Sequence, residues 1–206
     1  MERLDNVTLL LPNHGEPMLG ETLARLWREL PHTKVWVSHD LAGRGSGWAI
    51  REGLKHVTTP WVILVMVDGS ESPAAIHRMA RLCTPYYDAV WGDRWTRGST
   101  VEGYPWGKWI GNRLGNHLIA RLLHSPYTDW TDLAKAFRTD VLRDIHWSDD
   151  FRCEIEIPIR YYRHFRTLRI AYVPMHWRER TVGQSSYRLS QLGQMLRTLV
   201  TVWREA

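Results

Sequence analysis

The chain has 206 residues, 44% hydrophobic and 24% charged, enough for one packed core, too few for two, and without the low-complexity tracts of a disordered protein. Its two cysteines, Cys83 and Cys153, exclude a disulfide framework or a thiolate zinc site, and the ten histidines form no ligand motif such as HExxH. A formal net charge of +5 favours an anionic partner (nucleotide, lipid phosphate, membrane surface or nucleic acid) without choosing among them.

Residues 7–11 form a short β-rich apolar run, broken by the turn residues Pro12-Asn13-His14-Gly15. Leu19, Leu23, Leu26 and Leu30 then recur at helical spacing, with Glu16 and Pro17 expected in the first turn. Residues 35–38 read as a second strand, 43–47 as a glycine-rich loop and 48–55 as a helix. Residues 61–67 are continuously apolar, which suits a strand covered on both faces. This longest apolar run is far short of the roughly 18–20 residues that span a bilayer, and the first six residues carry no signal-peptide pattern. The expected location is therefore the cytosol.

Further helices are predicted over 73–83, 109–124 and 153–164, with strands at 89–91 and 168–177. The tail, 188–205, aligns Leu189, Leu192, Leu196, Leu199 and Trp203 on one face, with Arg188, Arg197 and Arg204 elsewhere. Such a helix packs on the core or lies on a membrane surface, and packing is the expectation. Strands alternating with helices imply one α/β domain with a mostly parallel sheet, a Rossmann-like arrangement whose ligands bind beyond the carboxyl ends of the strands.

The strand at 61–67 delivers Asp68 to such an end, followed by Gly69, Ser70 and Glu71. A carboxylate beside other oxygen ligands suits a hard divalent cation, which would offset charge on a departing diphosphate. Taken alone, Asp68 fits equally well as a cap on the turn into the helix at Pro73.

Seven segments in order alter that balance. Pro12-Asn13-His14-Gly15-Glu16 resembles a Pro-Thr-Tyr-Asn-Glu turn, and Gly45-Ser46-Gly47-Trp48-Ala49-Ile50-Arg51-Glu52-Gly53-Leu54 resembles Gly-x-Gly-x-Ala-x-Arg-x-Gly-Leu. Gly92-Asp93-Arg94-Trp95 resembles Gly-Ser-Arg-Phe, and Asn112-Arg113-Leu114-Gly115-Asn116 resembles Ser-Arg-x-x-Asn. Asp129-Trp130-Thr131-Asp132-Leu133-Ala134-Lys135-Ala136-Phe137 is similar to Asp-x-Thr-Ser-Gly-Phe-Arg-x-Phe. Phe151-Arg152-Cys153-Glu154-Ile155-Glu156 is similar to Phe-x-Phe-Glu-Ile-Glu, and the stretch from Arg178 to Ser186 to Arg-x-Arg-x-x-Gly-Glu-Ser-Lys. Together these motifs resemble the family-2 glycosyltransferases of the GT-A fold, above all the dolichol-phosphate and polyprenyl-phosphate mannose or glucose synthases.

That resemblance implies a nucleotide-sugar-dependent hexosyltransferase that inverts the anomeric centre and hands the sugar to a polyprenyl-phosphate-type acceptor. It implies a donor site of Pro12, Asn13, Glu16, Asp40, Gly45, Gly47, Arg51, Arg178, Arg180 and Ser185, with catalytic Asp68, Arg94, Asp129 and Asp132. It also implies an acceptor site of Arg94, Lys108, Asn112 and Arg113, and a Mg²⁺ or Mn²⁺ ion held by Asp68 with Glu71 and Ser70. The family's Asp-x-Asp is here Met66-Val67-Asp68, so metal binding is expected to be weak or dependent on phosphate. The catalytic domain is expected over 1–187 and an amphipathic helix over 188–206, with peripheral contact to the inner face of the membrane left open.

Two other functions stay open. A hydroxyl acceptor, including a modified base in bacteriophage DNA, needs a carboxylate base, and Asp129 or Asp132 is the candidate. A non-catalytic relative would bind nucleotide or sugar without turnover. On the lipid-phosphate reading, Asp129→Asn leaves substantial activity, whereas loss of Arg94 abolishes it.

Overall fold

A computed structural model describes residues 4–165, 169–180 and 192–204. The expected boundary at 187/188 and Ser185 lie outside the described residues. Six strands form the main sheet: β1 (Val7–Asn13), β2 (Lys34–His39), β3 (Trp61–Leu64), β4 (Ala89–Asp93), β6 (Lys135–Arg138) and β7 (Ile170–Pro174). Their order is β2-β1-β3-β6-β4-β7, and all neighbours pair in parallel except β6, which runs antiparallel to both β3 and β4.

Strand alternation divides the core into two layers. Leu9, Leu11, Trp61, Ile63, Val90 and Ala136 face α1 (Leu19–Glu29) and α3 (Pro73–Leu82), whereas Leu10, Val62, Leu64, Trp91 and Phe137 face the other side. That second layer is closed by α2 (Ser46–Leu54), α5 (Thr139–Asp144), α6 (Cys153–His164) and the last helix, α7 (Leu192–Arg204). The continuous apolar run of β3 follows from this, since each of its four side chains is buried on one face or the other. Each such side chain contributes roughly 1.5–3 kcal/mol.

Several boundaries differ from expectation. α1 begins at Leu19, and Glu16 and Pro17 belong to the preceding turn. β3 ends at Leu64, although Val65 still donates to the Leu10 carbonyl at 3.1 Å. The chain then turns, because the Asp68 carboxylate takes the Ser70 N–H at 3.0 Å and Gly69 has φ +70°. The late strand divides at Met175 into β7 and β8 (His176–Arg178), the latter pairing in parallel with β5 (Thr100–Glu102) as a separate two-stranded sheet. β5, β6 and α5 were not anticipated, being short and without clean periodicity.

α7 packs on α6 through a face rotated from the expected stripe: Thr198, Leu199 and Val202 are buried, while Leu196 and Trp203 are about half exposed. Leu189 of that stripe lies outside the described residues. The remaining long helix, α4 (Trp106–Leu122), buries Asn116 and Ile119 and leaves much of its apolar surface outward. Among the described residues no helix is long and apolar enough to cross a membrane.

Candidate functional site

The carboxyl ends of β1, β2, β3 and β4 converge on one edge of the sheet, as the parallel register requires. After β1, buried Asn13 builds the turn itself. Its carbonyl oxygen accepts the N–H groups of Gly15 (3.2 Å) and Glu16 (2.9 Å), and its amide meets His39 Nδ1 at 3.0 Å. Asp40, after β2, is buried and accepts from the Gly45 N–H at 2.7 Å and His14 Nδ1 at 3.1 Å. Burial opposes its ionisation, but the Gly45 and Arg44 N–H groups and His14 outweigh that and hold its carboxyl below the usual range.

The glycines at the start of α2 serve close packing. Gly45 has φ +121°, and a Cβ at Gly45 or Gly47 would collide with the backbone of 148–150. Arg51 secures the same segment through Asp149 and the Trp147 carbonyl. Gly47 and Arg51, expected at the donor, thus position the loop that walls the cleft.

The cleft measures about 250 Å³, and Pro12, Glu16, Gly45, Met66, Asp68 and Arg180 line it, together with Leu133 and Glu154. Asp68 is buried, and its second oxygen lies 2.7 Å from Arg180 Nη2. Arg178, two residues earlier, pairs instead with Glu102 and borders a separate cavity of about 420 Å³ that also touches Ser70. Of the two arginines expected at the donor, only Arg180 lines this cleft; alternate residues of an extended segment point apart.

The expected metal ligands do not assemble. Met66 offers a soft thioether where a hard cation wants oxygen, and Arg180 takes Asp68. Glu71 turns inward to accept the Met66 N–H at 2.9 Å, and Ser70 faces the other cavity. Among the described residues no three acidic, histidine or cysteine side chains are grouped as metal ligands. The donor set does not fit a divalent ion at this position.

Near Asp68 stand the buried acids Glu71 and Asp132 and the half-buried Glu154. Burial, then Asp132 and Asp68, push the Glu71 carboxyl well up, and its Oε1 has no hydrogen-bond partner. Asp132 is likewise raised by burial, against the pull of Arg94, and its Oδ2 is unpartnered by hydrogen bonds although 3.9 Å from Arg94 Nε. Burial also raises Glu154 to about 7, with Arg94 opposing and Asp132 adding to it, Lys135 opposing and Asp68 adding. Glu154 was overlooked in the sequence; the one signal there was its place within the Phe-Arg-Cys-Glu motif.

A pH dependence of stability follows. Between its ordinary value near 4.5 and about 7, Glu154 keeps a proton in the folded chain that the unfolded chain has released. Unfolding free energy should therefore fall as pH rises through that window. Urea melts between pH 5 and 8 should show a shallower decline for Glu154→Gln, with Glu71 and Asp132 supplying the rest in the same direction; an unchanged slope would contradict this.

On the side expected to take the acceptor, Arg94 and Asp129 engage each other. Nε and Nη2 of Arg94 meet the two Asp129 oxygens at 2.7 Å each, and the Arg94 N–H adds a bond of 2.9 Å. Burial opposes the charge on Asp129, but the Arg94 guanidinium holds its carboxyl low. Arg94 is therefore not an open cation, nor Asp129 an open base. Asp93 shapes the turn by accepting from Trp95 and Thr96 N–H and the Thr128 hydroxyl. Arg94 and Asn112 both donate to the Thr131 hydroxyl, at 3.1 and 2.7 Å. Arg113 stacks over Trp95, and Lys108 sits 3.9 Å from Glu179 at the rim.

A structure of glucosyl-3-phosphoglycerate synthase from Mycobacterium tuberculosis with Mn²⁺, UDP and phosphoglyceric acid superposes at a TM-score of 0.70, covering 97% of this chain and 78% of that one at 14% identity. The fold is that of the GT-A glycosyltransferases. Another structure of that synthase, with Mg²⁺ and UDP, gives a TM-score of 0.69 at 14% identity over 98% of this chain and 79% of the other. In sequence, a dolichyl-phosphate hexose transferase of Haloferax volcanii is 29% identical over 137 residues, 66% of this chain. The match spans 58% of that relative's length. No protein-family model matches. The family-2 GT-A resemblance drawn from the motifs is thus supported by sequence and by fold.

Proposed function

We propose that this GT-A chain transfers a hexose, with inversion, from a nucleoside diphosphate sugar to a phosphate-bearing acceptor, of which polyprenyl phosphate is the best fit. The observation that carries the proposal is the cleft lined by Pro12, Glu16, Gly45, Asp68 and Arg180 at the carboxyl edge of the sheet. Pro12 and Glu16 present the turn after β1 to a nucleoside, and Asp68 and Arg180 face the diphosphate that must leave. Transfer from such a donor depends chiefly on positioning and on preorganised charge.

A phosphate acceptor is already ionised near neutral pH and requires no base, which agrees with Asp129 being fully engaged by Arg94. The solved neighbour named above contains phosphoglyceric acid, also a phosphate-bearing compound, while the Haloferax relative is a dolichyl-phosphate enzyme by name. The surface of α4 favours the lipid. Trp106 is 77% and Leu114 65% exposed, and the helix carries Lys108, Arg113 and Arg121 without one carboxylate. An exposed apolar face among cations suits an anionic membrane, each basic residue adding about 1 kcal/mol near the surface.

The test is transfer of labelled hexose from UDP- and GDP-sugars to polyprenyl phosphate in anionic vesicles, beside 3-phosphoglycerate and hydroxymethylated DNA. Lipid-linked hexose is expected. Hydrolysis alone, or sugar on DNA, would overturn the proposal, and sugar on 3-phosphoglycerate alone would keep the phosphate class and remove the lipid. Trp106→Ser with Leu114→Glu should weaken vesicle flotation by about tenfold or more.

A further inference from the structure

The fold's solved neighbours hold Mn²⁺ or Mg²⁺, yet the side chains present here do not suit such an ion. We propose that the guanidinium of Arg180 occupies the role of that cation, binding the donor diphosphate beside Asp68 so that nucleotide binding proceeds without divalent metal. This rests on the donor reading given above and specifies how the same cleft handles the diphosphate.

Three features of the cleft support it. Arg180 Nη2 is 2.7 Å from Asp68 Oδ2, with side chains 13% and 6% exposed, and both residues line the cleft. A second metal-facing oxygen is replaced by Met66, which lines the same wall. Glu71, the other acid expected as a ligand, spends one oxygen on the Met66 N–H and does not line the cleft. An ion seeking Asp68 would have to displace the arginine that already holds it.

The guanidinium can do the work itself. It carries five N–H donors in a planar fork, enough to hold a carboxylate along one edge and meet phosphate oxygens along another. Its charge is permanent, and charge-assisted bonds to phosphate are about twice as strong as neutral ones. Asp68 then acts as a positioning residue for Arg180.

Calorimetry with UDP and GDP, in chelator and in excess Mn²⁺, tests this in the full chain. Affinity for the preferred nucleotide should agree within about twofold between the two conditions. Arg180→Ala should weaken it by about 10- to 100-fold, and Arg180→Lys, which keeps the charge and loses the fork, by less. Thermal melts of both variants confirm that the loss is not unfolding. Nucleotide binding only in Mn²⁺, or wild-type affinity in Arg180→Ala, would overturn the inference and leave the donor reading intact. If neither nucleotide binds in either condition, the donor reading falls and the inference with it.

Discussion

Asp129→Ala is expected to lower the unfolding free energy by about 3–5 kcal/mol, which is the usual consequence of stranding one member of a buried ion pair. Asp129 is fully buried and meets Arg94 along both edges of the carboxylate. Removing the acid leaves a buried guanidinium with, among the described residues, only Asp132, 3.9 Å away, as a counter-charge. Arg94→Met strands the acid in the same way, so the two single variants should be similarly unstable. Replacing both together with apolar residues should recover much of the loss, because the pair's net worth is small beside the penalty of breaking it. Urea denaturation of the two single variants and the double variant checks this directly. The contrast drawn from the motifs, in which Asp129→Asn is benign and loss of Arg94 is fatal, gives way to joint failure: an amide nitrogen turned toward the guanidinium sets donor against donor. If Asp129→Ala melts like the wild type, the buried pair is not what holds the acceptor side together.

Much of this layout was legible because it rests on local rules. The apolar run of β3 and the leucine spacing of α1 report burial, and burial is what those segments do. Asp68 was found because a carboxylate directly after a buried strand must emerge at the sheet edge. What was not legible depends on residues distant in the chain. Gly45 and Gly47 read as part of a glycine-rich loop at the donor, but their lack of a side chain answers to the backbone of 148–150, about a hundred residues later. Arg94 looks like an open cation until Asp129 arrives beside it, and Arg178 and Arg180 look equivalent until the extended chain turns them apart. β6 was missed because it is four residues long with a lysine at its head, and that lysine is buried over Trp91 and Tyr127, its charge supported against burial by Asp129 and Asp132. Charge pairing across the sheet edge has no period, so the sequence holds no trace of it.

Asp68→Asn should fold and yet transfer sugar about 10²–10³-fold more slowly, the usual cost of removing one preorganised electrostatic group from a reacting centre. Folding survives at some cost, because the amide oxygen still accepts the Ser70 N–H that makes the turn and the Arg180 guanidinium facing the new amide nitrogen can swing into the cleft. It also survives because one negative charge leaves a cluster in which Asp68 and Asp132 already raise Glu71. Activity does not survive, because a neutral amide no longer anchors the Arg180 guanidinium proposed to receive the leaving diphosphate. The defect should appear in kcat more than in KM, since Arg180 remains in the cleft but is less well aimed when charge develops on the leaving group. Thermal melting together with single-turnover transfer separates the two effects. A variant that loses stability in proportion to activity would reduce Asp68 to a turn-former, the role that its position before Pro73 already allows. A variant that keeps its melting temperature and loses turnover makes the Asp68–Arg180 pair the working centre of the cleft.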